Sequence, residues 1–137
     1  MSPAVPKPKR YPKERFFKPR KIVRIEANPL EETEQKTVVD WLKAHKLLFT
    51  ANVPDRRYCQ RMGYSPGVPD ILIFDRPLRV ENGYLWIGAA LEMKRRKGGV
   101  VSDEQQGWLD SLKNLGWITK VAYGCDDAIR WLEGLYL

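Results

Sequence analysis

The spacing of apolar residues changes several times along this chain, and each change marks an element. From Asn28-Pro29 onward, Leu30, Glu34, Val38, Trp41, Leu42 and His45 recur at helical spacing. This predicts a helix running through Lys46, with Glu31, Glu32 and Glu34 favourable in its first turn. On that wheel Glu34 shares the core-facing stripe, whereas Glu31 and Lys43 point elsewhere. Leu47 to Val53 reads as a first strand, and Pro54 to Pro66 as a polar, basic loop ending at Gly67. The apolar run after Asp70, to Phe74, is a second strand. Arg76 to Gly83 is a turn region in which Asn82-Gly83 signals a hairpin, and Tyr84 to Lys94 is a third strand. Ser102 is a good helix N-cap with Gln105 three residues on, as in a capping box, and Gly116 is a ready C-cap. Trp117 to Tyr123 is a fourth strand, and Asp126 opens a last short helix. The order is helix, three strands, helix, strand, helix. It predicts an α/β domain with a mixed sheet flanked by helices.

Charge divides the chain differently. The 137 residues carry a net charge of +7, but residues 1–25 hold nine Lys or Arg against one acid, Glu14. The rest is nearly neutral. Five of the ten prolines also fall in this stretch, which favours extended backbone. Residues 1–28 are therefore read as a basic arm and 29–137 as one domain, long enough for a core of its own. Lys7, Lys9, Arg10, Lys13, Arg15, Lys18, Arg20 and Lys21 suit a path along phosphates, and Tyr11, Phe16 and Phe17 suit stacking on bases or docking onto the domain. A solubilising or localising tail is the other use of such a segment. Cys59 and Cys125 lack metal-ligand spacing, and with His45 as the one histidine a structural zinc site is not expected. No run approaches the ~20 apolar residues of a membrane span. The chain is expected to be cytoplasmic, with reduced thiols.

Candidate chemistry concentrates where charge interrupts the apolar strands. Asp70 opens the second strand, and Glu92 and Lys94 close the third. Period-two alternation puts Glu92 and Lys94 on one face, about 7 Å apart. Charged groups at such positions are costly to hold unless they bind something. Two carboxylates can hold a hard divalent cation beside an ammonium, which is a chemistry of phosphodiester cleavage. Each residue also has a plainer use: Asp70 as a turn cap, Glu92 with Lys94 as a surface pair, Glu34 as a first-turn acid, Gln105 as the capping partner of Ser102. His45 reads as a helix-end cation or packed side chain, and Trp41, Trp108, Trp117 and Trp131 as core.

Three motifs together are more specific. Met62-Gly63-Tyr64-Ser65-Pro66-Gly67-Val68-Pro69-Asp70, Glu92-Met93-Lys94 and Ser102-Asp103-Glu104-Gln105-Gln106-Gly107-Trp108 occur in that order. From about Leu30 to Gly124 the chain resembles the VRR-NUC branch of the PD-(D/E)xK nucleases. The resemblance implies a restriction-endonuclease-like αβββαβ core and a magnesium-dependent site, with Mn2+ as a substitute. It implies Asp70, Glu92 and the Met93 backbone carbonyl as metal ligands and Lys94 as the catalytic lysine. Gln105 would be the family's helix glutamine, and Glu34 would match its early acid and join the metal site. Arg95, Arg96 and Lys97 directly follow Lys94 and should flank bound backbone, with Arg56, Arg57 and Arg61 as a second wall.

Stand-alone, phage-type members resemble Holliday-junction resolvases acting as homodimers, which would place this chain in a host-cell cytoplasm if phage-encoded. The leading expectation is thus a structure-selective DNA endonuclease on branched DNA, without small-molecule cofactor or membrane partner. Two alternatives remain: a less selective flap or single-strand nuclease, and an inactive DNA-binding module with the nuclease fold.

Overall fold

The computed structural model describes residues 4, 29–52, 63, 65–78 and 83–137. In chain order the elements are α1 (Glu31–Ala44), β1 (Phe49–Ala51), β2 (Ile71–Ile73), β3 (Gly88–Lys94), α2 (Asp103–Asn114), β4 (Trp117–Tyr123) and α3 (Cys125–Tyr136). The four strands make one mixed sheet in the order β1-β2-β3-β4. The first two pairings are antiparallel and β3-β4 is parallel. A parallel neighbour needs a crossover, and α2 supplies it.

Every residue of β3 is buried, polar ones included. A strand covered on both faces has no solvent side to alternate with. Ala89, Leu91 and Met93 join Ile71 and Ile73 in a core closed by Val38 and Leu42 of α1 and by Ala128, Leu132 and Leu135 of α3. The even-numbered β3 side chains face the other way, toward α2. Glu92 and Lys94 therefore sit on the α2 side of a fully covered central strand.

The strands are shorter than the apolar runs suggest. β1 spans only Phe49–Ala51, with one further backbone bond to the β2 side at each end, Phe74 N–H to the Leu48 carbonyl and Asn52 N–H to the Asp70 carbonyl. β3 starts at Gly88 rather than Tyr84, with the Ile87 N–H reaching the Gly116 carbonyl, 3.0 Å away, just ahead of the first paired residues. Gly83 has φ 79°, as a tight turn needs, whereas Asn82 lies outside the described residues. Helix α3 starts at Cys125, one residue before the expected Asp126.

The four tryptophans read as core, Trp41, Trp108, Trp117 and Trp131, depart further from expectation, since each is only half-buried. Trp41 and Trp131 pack against the core, Trp117 meets Phe74 edge-on at 6.0 Å, and Trp108 lines an open cavity of about 420 Å³ beside Pro66 and Glu104. Large rings here cover the margins of a core built from Leu, Ile, Met and Ala. Among the described residues no helix is long and apolar enough to cross a membrane.

Candidate active site and metal centre

Sheet register assembles the site. The β2-β3 pairing sets Ile71 opposite Leu91, so one step further Asp70 stands opposite Glu92. Asp70 Oδ2 accepts the Met93 N–H at 2.7 Å, which pins the carboxylate to the backbone between Glu92 and Lys94. Glu92 Oε1 accepts Gln105 Nε2–H at 2.6 Å and pairs with Lys94 Nζ at 3.3 Å. Both partners of that ion pair are nearly inaccessible. The second Glu92 oxygen, Oε2, is buried and has no hydrogen-bond partner.

Gln105 serves two purposes with one side chain. Its Oε1 accepts the Ser102 N–H at 2.9 Å while Ser102 Oγ accepts the Gln105 N–H at 3.2 Å, so the capping box is complete. The other end of the amide donates to Glu92. The helix cap thereby fixes the amide on which the carboxylate rests. Gly67, with φ 88°, brings the loop before Asp70 onto the same helical turn. A Cβ there would lie 2.6 Å from the Glu104 carbonyl carbon.

Two carboxylates this close and this dry resist ionising together. Burial is the main reason that Glu92 is pushed up to about 7, and the Asp70 charge adds to it; Lys94 pulls the other way. Asp70 is also raised, again chiefly by burial, against the Met93 N–H and the Lys94 charge. Glu31 contributes to the same upward shift, so its carboxylate is a neighbour of Asp70.

The structure places Glu34 elsewhere. Its Oε1 accepts Arg96 Nη2–H at 2.9 Å and Nε–H at 3.2 Å, and its Oε2 accepts the Cys125 N–H. Gly124 (φ 94°) allows this, since a Cβ there would meet Glu34 Oε2. The helical wheel rightly put Glu34 inside, but inside here means the α1-α3 seam rather than the strand ends carrying Asp70 and Glu92. Glu31, one turn earlier and read as pointing away, is the helix acid that acts on Asp70. Its position in the first turn was the available signal. Among the described residues no three His, Cys, Asp or Glu side chains form a ready metal cage.

Arg96, expected on the phosphate path, is instead tied to Glu34 and, at 3.3 Å, to Asp126. Arg95 is half-buried and Lys97 exposed on the same loop. Lys7, Lys9, Arg10, Lys13, Arg15, Lys18, Arg20, Lys21, Arg56, Arg57, Arg61 and Cys59 lie outside the described residues. His45 stacks on Trp41 at a centroid distance of 3.8 Å and bonds the Trp41 carbonyl through Nδ1, away from the site.

The stretch that contains this site is covered by a family model. The VRR-NUC domain model matches residues 18–126. This chain belongs to the VRR-NUC family. The match starts at Lys18, within the segment read as the arm. A solved structure described as a VRR_NUC domain protein is similar, with a TM-score of 0.64 and 22% identity. The similarity covers 77% of this chain and 86% of that one, and it shows a shared fold. No curated protein matches the chain. A VRR-NUC domain is a nuclease domain of the PD-(D/E)xK type, a group that typically uses a divalent metal and for which DNA is the implied substrate.

Proposed function

We propose that this chain is a metal-dependent DNA endonuclease in which Asp70, Glu92 and the Met93 carbonyl hold a divalent cation, Mg2+ first and Mn2+ as a substitute. The observation that carries the reading is Glu92: Oε1 is held by Gln105 and Lys94, while Oε2 is buried, unpartnered and beside a second carboxylate. An orphaned carboxylate oxygen in a dry site fits a hard cation that takes oxygen ligands and keeps several waters. When bound, such a cation polarises a phosphodiester oxygen and acidifies water.

The chain's own groups supply the rest. Lys94 donates toward the phosphate and offsets negative charge building on it as water attacks. In that step a new P–O bond forms and the bridging P–O bond breaks, leaving one end with the phosphate and the other with a hydroxyl. Gln105 keeps Glu92 Oε1 turned away from the coordination side, so Oε2 stays available. Glu31 takes the early-acid role in place of Glu34, because its charge acts on Asp70. The Arg95-to-Lys97 loop apart from Arg96, the arm, and Arg56, Arg57 and Arg61 line the DNA path.

Branched DNA cut by a homodimer remains the favoured target. Paired nicks across a junction need two identical sites at fixed separation, which a two-fold dimer provides. Labelled four-way junction, flap, duplex, single strand and RNA, each with Mg2+, Mn2+ or chelator, test this. Symmetric nicks confined to the junction are expected. Indiscriminate degradation supports the less selective nuclease, and no cleavage of any substrate supports the inactive binding module.

A further inference from the structure

Asn52 occupies a position that the fold does not explain. The β1-β2 register, Phe49 with Ile73, Thr50 with Leu72 and Ala51 with Ile71, continues one step to Asn52 opposite Asp70. The Asn52 N–H donates to the Asp70 carbonyl at 2.7 Å, which fixes that step. Since Asp70 in turn stands opposite Glu92, three strands contribute Asn52, Asp70 and Glu92 to one row across the sheet. Residues directly opposite in an antiparallel pair put their side chains on the same face, about 5 Å apart at Cβ. The Asn52 side chain is thus on the Asp70 side.

Its amide oxygen Oδ1 is buried and has no hydrogen-bond partner. Asparagine is a poor strand former, and a buried carbonyl without a donor carries a desolvation penalty. The Asn52 N–H is already bonded to the Asp70 carbonyl, so Oδ1 is not needed to satisfy it. Glu92 Oε2, two places along the row, is orphaned in the same way. Two unpartnered oxygens flanking Asp70 point to something that both face.

We infer that Asn52 belongs to the metal site, its Oδ1 accepting a hydrogen bond from a water in the cation's shell. This rests on the metal reading above. A neutral amide suits that place, because a third carboxylate would add repulsion where two already resist ionising. Mg2+ releases its waters reluctantly, so acceptors placed around the shell orient it.

Mn2+ binding to the full-length protein by titration calorimetry, paired with thermal unfolding in chelator, tests the inference without turnover. Asn52→Leu should weaken Mn2+ binding about tenfold or more, the usual cost of losing a partner just outside the ligands. In chelator its melting temperature should equal or exceed the parent's, because an orphaned acceptor has been removed. Unchanged Mn2+ affinity overturns the inference. So does a lower melting temperature in chelator for both Asn52→Leu and the smaller Asn52→Ala, which means that the amide serves the fold. Asp70→Ala is the control for the underlying reading. If it keeps parental Mn2+ affinity the metal site itself is misassigned, and if it alone loses binding only the Asn52 assignment fails.

Discussion

At Glu92 one carboxylate oxygen is shared by an amide and an ammonium, while the other is buried without a donor. This asymmetry has a pH signature. Unfolded, the carboxyl titrates near its ordinary 4.5; folded and metal-free, it titrates near 7. Between those values the folded state holds the extra proton, so stability falls as pH rises through that window. In chelator the protein should therefore melt at a lower temperature at pH 8 than at pH 6. Asp70→Asn should shrink that difference, by roughly 1.4 kcal/mol for each pKa unit relieved at Glu92. An unchanged profile in the variant would mean that the two carboxyls do not interact. Cation binding must displace the same proton, so Mn2+ affinity should drop about tenfold per pH unit below 7, with proton release seen by calorimetry in buffers of different ionisation enthalpy. Pairing of Asp70, Glu92, Lys94 and Gln105 was legible in the motifs. The dual role of Gln105 was not, because a capping box and a site contact leave the same residue at the same spacing.

Among the elements, α1 and the loop after β3 show where one-dimensional reading stops. Periodicity placed Glu34 in the stripe that packs inward, and it is buried. Its partner Arg96, 62 positions away, could not be inferred from spacing, and a run of three cations looked like a phosphate wall. The Glu34-Arg96 pair instead ties the turn beyond Lys94 to α1 and to the start of α3. Removing one member of such a pair strands a buried charge. Arg96→Ala should cost about 3 kcal/mol in urea unfolding. Replacing both with leucines should cost much less, since no lone charge is left in the seam. A double variant that loses as much as Arg96→Ala and Glu34→Leu added together would show that the pair is not coupled. Strand ends escaped the sequence for a related reason. Tyr84 to Ile87 is as apolar as the strand it precedes, but only an isolated bridge at Tyr84 and the Ile87 N–H to the Gly116 carbonyl tie it down, so the continuous ladder begins at Gly88.

The whole molecule has two unlike ends. One carries Asp70, Glu92 and Lys94. At the opposite strand ends Phe74, Ile87 and Leu115 are exposed around Trp117. If the chain works as the homodimer proposed above, this strip, exposed among the described residues, is where the two-fold partner would sit. Light scattering of the Ile87→Glu/Leu115→Glu variant should give half the parental mass, and paired junction nicks should become single. A parental mass that is already monomeric would remove the dimer from the account. The fold order was readable because helix and strand periods alternate cleanly from residue 29 onward. The strip was not, since its residues come from three separate segments that meet only when β4 pairs beside β3. Charge partition was equally plain in the sequence, and the family match begins at residue 18, inside that basic segment.

The most direct test of the central claim is single-turnover cleavage of a labelled four-way junction by the parent and by Lys94→Met, with DNA affinity measured alongside. The parent should cut in Mg2+ and stop in chelator, and the variant should bind as well as the parent while cutting at least a hundredfold more slowly, the scale expected for losing one transition-state donor. Parental cleavage by Lys94→Met, or cutting that persists without divalent metal, would contradict the assignment of this site.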